Sequence, residues 1–173
     1  MNLLLRFIIV LLAALRRQPL RILDESMVTF QIWPNDLDIN GHMNNGRYLT
    51  LMDLGRIDLM VRTGLAKVAL RRKWHPVVGS ATIRFRLPLR LFQIYQLKTR
   101  VLGWDEKWFY VEQRFERRGN VVAVGVVKGL LRGHTGNIPP AEVLRSINLA
   151  IPSPEMPPAI DLWQQSEAVL SQL

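Results

Sequence analysis

The spacing of apolar positions changes several times along this chain, and each change marks an element. Residues 1–15 are apolar almost without a break, Arg6 being the one charge, and Arg16 and Arg17 follow. As a helix this run spans about 22 Å, short of a hydrocarbon core of about 30 Å. No basic residue precedes Leu3, and Ala13-Ala14-Leu15 runs straight into two arginines, which is unlike a cleaved signal. The run reads as a helix lying on a membrane or packed on its own domain or a dimer partner. Residues 27–33 form a β-branched and aromatic run, a strand that stops at Pro34. Residues 36–45 are dense in turn-formers. Asn44 or Asn45 then caps a helix that runs to Gly64, with Leu49, Met52, Ile57, Met60 and Val61 recurring at helical spacing. It is apolar over most of its circumference, so it is expected to be buried, with Asp58 and Arg62 paired on its remaining polar face.

Residues 67–75 read as a basic connector, and four strands follow. Residues 77–87 alternate, with Ala81, Ile83, Phe85 and Leu87 on one face and Ser80, Thr82, Arg84 and Arg86 on the other. Residues 95–102 and 108–117 alternate likewise. Residues 121–131 are nearly all apolar, which suits a central strand covered on both faces. The short turns 103–107 and 118–120 predict antiparallel hairpins. Residues 139–149 and 160–173 read as helices, separated by the proline-rich 151–158. The order predicts an α+β chain in which one antiparallel sheet of about five strands wraps one long buried helix, with helices added at both ends. Such a sheet covers only part of the helix, and a second copy would complete the burial. Three regions follow: an N-terminal helix and connector at 1–26, a central domain at 27–135 and a helical extension at 136–173.

With 173 residues, 49% apolar and 21% charged, the chain can bury one core. It has no cysteine, which excludes disulfides, thiolate zinc sites and a cysteine nucleophile. The net charge of +9 lies entirely within residues 67–118, which hold thirteen basic and four acidic residues. That excess suits a phosphorylated ligand or an acidic partner as well as a solvated face. Nucleic acid is not expected, because the chain lacks the aromatic stacking motif that would accompany such a basic segment.

The chain has no glycine-rich phosphate loop, no HExxH, no GxSxG and no SxxK. No metal site is expected. The run from Asp36 to Gly41 begins like a calcium loop, but the twelfth position, where a glutamate is required, is Arg47. The remaining constellation is Asp38, Asn40 and His42, just before the long helix. A helix N-terminus offers unpaired N–H groups and partial positive charge, which can hold a developing oxyanion. A carboxylate beside it can activate water or attack directly. These are parts for acyl hydrolysis without serine or cysteine; taken alone, the same residues also serve as a cap and turn.

Residues 33–54, with the run His42-Met43-Asn44-Asn45-Gly46-Arg47-Tyr48, resemble the signature of hotdog-fold acyl thioesterases of the 4-hydroxybenzoyl-CoA thioesterase group. Residues 101–115 and the Pro-Glu-Met-Pro at 154–157, before a Trp-containing helix, resemble the thioesterase superfamily member six branch. The resemblance implies a hotdog fold and an acyl-CoA or acyl-carrier-protein thioesterase needing no cofactor. It implies a homodimer or dimer of dimers, with sites at the subunit interface and the acyl chain beside the helix. It places Asp38 as base or nucleophile, Asn40 and His42 as positioning groups, and the backbone N–H groups of Asn44 and Asn45 against the thioester carbonyl. Tyr48, Arg84 and Arg86 are further substrate-binding candidates, with Arg90 and the Arg71-Arg72-Lys73 cluster behind them. Asp53 matches an acidic helix position that is usually buried and structural. The downstream glutamate of plant acyl-carrier-protein thioesterases falls near Arg84 here, so that group is absent. The alternative function is acyl binding without hydrolysis. The expected location is cytoplasmic, with peripheral contact at the inner face of a membrane through residues 1–17.

Overall fold

The computed structural model of the chain describes residues 2–170 and 172. Its elements are α1 (Leu3–Arg16), β1 (Ser26–Gln31), α2 (Asn45–Arg62), α3 (Leu65–Arg72), β2 (His75–Phe85), β3 (Ile94–Trp104), β4 (Phe109–Arg117), β5 (Asn120–Gly133), β6 (Gly136–Ile138), α4 (Pro140–Arg145) and α5 (Pro158–Leu170). The strands form one antiparallel sheet in the order β1-β3-β4-β5-β2, with β6 added to β5. β1 and β2, separated in sequence by α2 and α3, become its two edges.

The helix α2 crosses the inner face of this sheet and buries Tyr48, Leu51, Met52, Leu54, Gly55, Asp58 and Leu59 at helical spacing. Gly55 allows the close approach. A Cβ there would sit 2.6 Å from Thr99 Oγ1 and 2.8 Å from Gln113 Nε2. Gln113, fully buried, donates to Met52 O at 2.8 Å and to Thr99 Oγ1 at 3.0 Å, tying the helix to the sheet. Asn44 caps α2, its side chain accepting from Gly46 N–H at 2.9 Å.

The expected sheet and long helix are present, and four details differ. The basic connector is in part the helix α3, whose Leu65 and Ala69 are buried one turn apart while its basic residues face outward. Gly64, at φ +79°, makes the break between α2 and α3. The alternating β2 is an edge strand exposed along nearly all its length, because β5 pairs with it along one side only and α2 covers little more than its end, where Phe85 meets Tyr48. The Asp58–Arg62 pair is present, but Asp58 is buried and also accepts from the Ser26 hydroxyl at 2.5 Å. Of the helix expected at 160–173, the residues through Leu170 are helical, while Ser171 and Leu173 lie outside the described residues.

On the outer face, α5 and the segment before it lie across β3, β4 and β5. Trp104 N–H donates to Ser153 Oγ at 2.8 Å, Trp163 stacks edge-on against Tyr110, and Lys128 pairs with Glu167. Beside them runs a charged ladder. Lys98 pairs with Glu116 at 2.7 Å, Arg100 with Glu112 at 2.8 Å, and Arg114 with Glu25, Glu112 and Glu116. Of the ladder's acids only Glu25 lies outside 67–118, so most of that segment's basic surplus is left to other partners or to solvent.

The inner face of α1 packs on α2 and β1 through Arg6, Val10 and Ala14, each one turn apart. Its other face leaves Leu4, Leu5, Ile8, Ile9, Leu12 and Leu15 exposed. No helix among the described residues is long and apolar enough to cross a membrane.

Candidate active site

The segment between β1 and α2 is a hairpin-like loop on a fixed base. A 3-10 turn over Pro34–Asp36 starts it, and Asp36 O accepts from Asn44 N–H at 2.8 Å. Leu37 pairs with Met43, Asp38 N–H donates to His42 O at 2.8 Å, and Gly41 N–H donates to Asp38 O at 3.1 Å. Gly41 turns the chain at φ +70°, a value that favours glycine. Asp38 Oδ1 accepts from the backbone N–H of Asn40 at 2.8 Å and of His42 at 3.3 Å. Its second oxygen has no hydrogen-bond partner among the described residues. Asp38 is half-buried, Asn40 is exposed, and Ile39 at the loop tip is fully exposed.

Each expected site residue has a defined place. Asp38, Asn40 and His42 do come together, but Asn40 and His42 hold the carboxylate through their backbone rather than their side chains. Of the two amides expected to face a carbonyl, that of Asn44 is taken by Asp36 O, and its side chain caps α2. The Asn45 N–H, at the exposed start of α2, has no partner among the described residues. Tyr48 is not at the loop opening: it is a core residue, 3% exposed, between Phe85 and Phe115 with ring centroids 5.0 and 4.9 Å away. Burial pushes its phenol up to about 12, against an opposing hydrogen bond with the Leu89 backbone, so it stays protonated at neutral pH.

Arg84 and Arg86 are exposed at the end of β2 and have no ion partner among the described residues. The chain beyond them returns to the loop: Met43 N–H donates to Leu89 O at 2.8 Å, and His42 pairs with Arg90. Arg90 therefore borders the Asp38 loop, and Arg84 and Arg86 lie six and four positions before it in the chain.

Two features were not foreseen. The first is Asp53, expected to be buried: its side chain is 60% exposed beside Arg56. Burial lowers Arg56 from its ordinary value, with Asp53 opposing, and Arg56 donates to Gln113 Oε1 at 2.6 Å. Both residues line a cavity of about 410 Å³ walled by Ile57 and Met60 of α2, Val77 of β2 and Val127 of β5. The Asp38 loop does not line this cavity. The second is Arg6 of α1, which reaches Asp36 from thirty residues away in sequence. Its one visible trace is a lone arginine in an apolar run. Among the described residues no group of three or more His, Cys, Asp or Glu could hold a metal ion.

A family model for the thioesterase-like superfamily matches residues 32–164. The chain belongs to that superfamily. It is 37% identical over 133 residues to Protein THEM6 of Xenopus laevis, covering 76% of this chain and 63% of that one. It is 40% identical over 126 residues to Protein THEM6 of Danio rerio, covering 70% of this chain and 62% of that one. This chain thus spans less than two thirds of those relatives. Among solved structures it is similar to a gentisyl-coenzyme A thioesterase, with TM-score 0.63, 21% identity and coverage of 69% of this chain and 99% of that one. It is similar to the probable thioesterase YbaW of Escherichia coli, with TM-score 0.64, 19% identity and coverage of 70% and 97%. Those likenesses concern the fold, which is the hotdog fold: a curled antiparallel sheet around one helix.

Proposed function

We propose that this chain hydrolyses acyl thioesters, with Asp38 as general base or nucleophile. The observation that carries the reading is the Asp38 carboxylate, half-buried at the entry to α2, with one oxygen fixed by two backbone N–H groups and the other open. A fixed carboxylate with a free oxygen can hold water or attack a carbonyl carbon. The Asn45 N–H, at the positive end of α2, is the donor available to the carbonyl oxygen as it gains charge. Asn40 and His42 act by holding the carboxylate in place. The experiment is thiol release from aliphatic and aromatic acyl-CoA esters by the native protein and by Asp38→Asn.

The carrier end of the substrate is assigned to the basic strip of Arg84, Arg86 and Arg90, which suits the phosphates of coenzyme A or the acidic face of acyl carrier protein. The acyl group is assigned to the apolar cavity beside α2. Within one chain that cavity and Asp38 are separate. A homodimer formed across β2 would bring the loop of one copy toward the cavity of the other, and would cover a long strand exposed along nearly all its length. The same separation favours a second reading, acyl binding without hydrolysis, in which native protein binds acyl-CoA and releases no thiol. The exposed apolar face of α1, followed by Arg16 and Arg17, suits peripheral contact with anionic lipid. Sedimentation with anionic vesicles tests it: Ile8→Asp with Leu12→Asp abolishes co-sedimentation, and undiminished binding contradicts it.

A further inference from the structure

We infer that Arg6 of α1 is a positioning residue for the Asp38 loop, acting through Asp36. The inference rests on the reading of Asp38 given above and extends it to the N-terminal helix.

Arg6 is 3% exposed and Asp36 1%. The guanidinium grips both carboxylate oxygens, Nη1 donating to Oδ1 at 3.0 Å and Nη2 to Oδ2, and Nη2 also donates to Gln31 O at 3.1 Å. Asp36 Oδ2 further accepts from Trp33 N–H at 2.9 Å, and Asp36 O accepts from Asn44 N–H. One residue thus joins α1, the entry to the loop and the residue that caps α2. Asp38 lies two positions further on, in a hairpin closed on that base. Arg47 of α2 braces the same turn by donating to Asn35 O at 2.9 Å, but its Nε stands 3.9 Å from Asp36 Oδ1. It cannot replace the two-pronged grip of Arg6.

Stability alone is a poor reason for this arrangement. A buried ion pair generally adds little over apolar residues of the same volume, although removing one partner is costly. Arg6 Nε, Trp33 Nε1 and Tyr95 Oη are also buried without hydrogen-bond partners among the described residues. Two of these belong to residues bonded to Asp36. Buried polar groups left unpaired oppose folding. What the pair does provide is a fixed position for residue 36, and through it for the base of the loop. Removing Arg6 leaves a buried, partly unpaired carboxylate that turns toward water and takes the Asp36–Asn44 contact with it.

The test compares native protein, Arg6→Met, Asp36→Asn, the Arg6→Met/Asp36→Asn double variant and Val10→Ala. Val10 is buried in the same helix face but does not touch Asp36, so it reports loosening of α1 alone. Two quantities are read, both at temperatures where circular dichroism shows every variant folded. The first is kcat and KM on octanoyl-CoA and benzoyl-CoA. Arg6→Met lowers kcat at least tenfold and changes KM less than threefold; Val10→Ala keeps kcat within twofold; the double variant is no slower than the slower single variant. The second is amide hydrogen exchange at Trp33 and Asn44, whose N–H groups both bond to Asp36. Exchange quickens at least tenfold in Arg6→Met and is unchanged in Val10→Ala. Native-like exchange at both amides in Arg6→Met, an equal loss of kcat in Val10→Ala, or multiplying losses in the double variant would overturn the inference. If the native protein releases no thiol, the thioesterase reading fails, and the exchange data alone decide whether Arg6 holds the loop.

Discussion

Replacing Gly55 by Ala in the middle of α2 should destabilise the protein, against the usual trend. In an ordinary helix interior the change gains about 1 kcal/mol from propensity. Here the new methyl would lie 2.6 Å from Thr99 Oγ1, 2.8 Å from Gln113 Nε2 and 2.9 Å from Leu97 Cδ2. All three neighbours are fully buried, so none can swing aside. Carbon contacts are most favourable at about 3.5–4.0 Å, so α2 would have to retreat by roughly 1 Å. Overpacking of this kind costs about 1–3 kcal/mol. The retreat also stretches the Gln113 bonds to Met52 O and Thr99 Oγ1, each contributing about 1 kcal/mol. The opposing terms leave a net loss of about 2 kcal/mol, equivalent to a Tm lowered on the order of 4–8 °C. Thermal denaturation followed by circular dichroism reads this directly. A Tm equal to or above the native value would refute the account of how α2 seats on the sheet.

Acid should release α5. Burial alone would raise the Glu167 pKa, but hydrogen bonds from Lys128 and Ser80 and the Lys128 charge outweigh it, so the folded value lies below the ordinary 4.5. A depressed carboxyl contributes stability that is present above its ordinary pKa and lost as pH falls through the folded one. The fluorescence of Trp163 and Trp108 should therefore stay constant from neutral pH to about 4.5 and change below it, and the low-pH change should be absent in Glu167→Gln. Substituting Arg84 and Arg86 together by Ser should raise KM for acyl-CoA about tenfold at low salt with little change in kcat, the equivalent of about 1.4 kcal/mol. That effect should shrink as salt is added, and a KM unchanged at low salt would remove the strip from substrate binding. Ala81→Arg, on exposed β2, should convert a dimer to a monomer in analytical ultracentrifugation; an intact dimer would place the interface elsewhere.

Much of this fold is legible in local patterns. Alternation locates β2, β3 and β4, a β-branched run locates β1 and a continuous apolar run β5, and Asn44 or Asn45 before an apolar helical run locates the start of α2. The Asp38 loop stood out because so many turn-formers and polar groups lie together. What local pattern cannot carry is which surfaces meet. The alternation of 77–87 reads as a half-buried strand, yet β2 is an edge whose inward face α2 covers only in part, Phe85 meeting Tyr48 while Val77 lines the open cavity. Arg71, Arg72 and Lys73 suggested a connector and hid the Leu65, Val68, Ala69 periodicity of α3. The link from Arg6 to Asp36 and the link from Arg56 to Gln113 join residues 30 and 57 positions apart, and no spacing rule reaches that far. The exposure of Asp53 escapes local pattern for a related reason: it depends on the cavity beside α2, which exists only once the sheet has curled.

The central claim is that Asp38 performs thioester hydrolysis, and Asp38→Asn tests it most directly. The asparagine keeps an Oδ1 acceptor for the N–H groups of Asn40 and His42, so the loop and the Tm should be preserved. The carboxylate charge and basicity are lost, and removing a general base typically costs about 10²–10⁴ in rate. The account predicts thiol release from at least one acyl-CoA by native protein and a fall of that size in the folded variant. Native-rate turnover by Asp38→Asn, or no thiol release by the native protein from any acyl-CoA or acyl-carrier-protein ester, would contradict it.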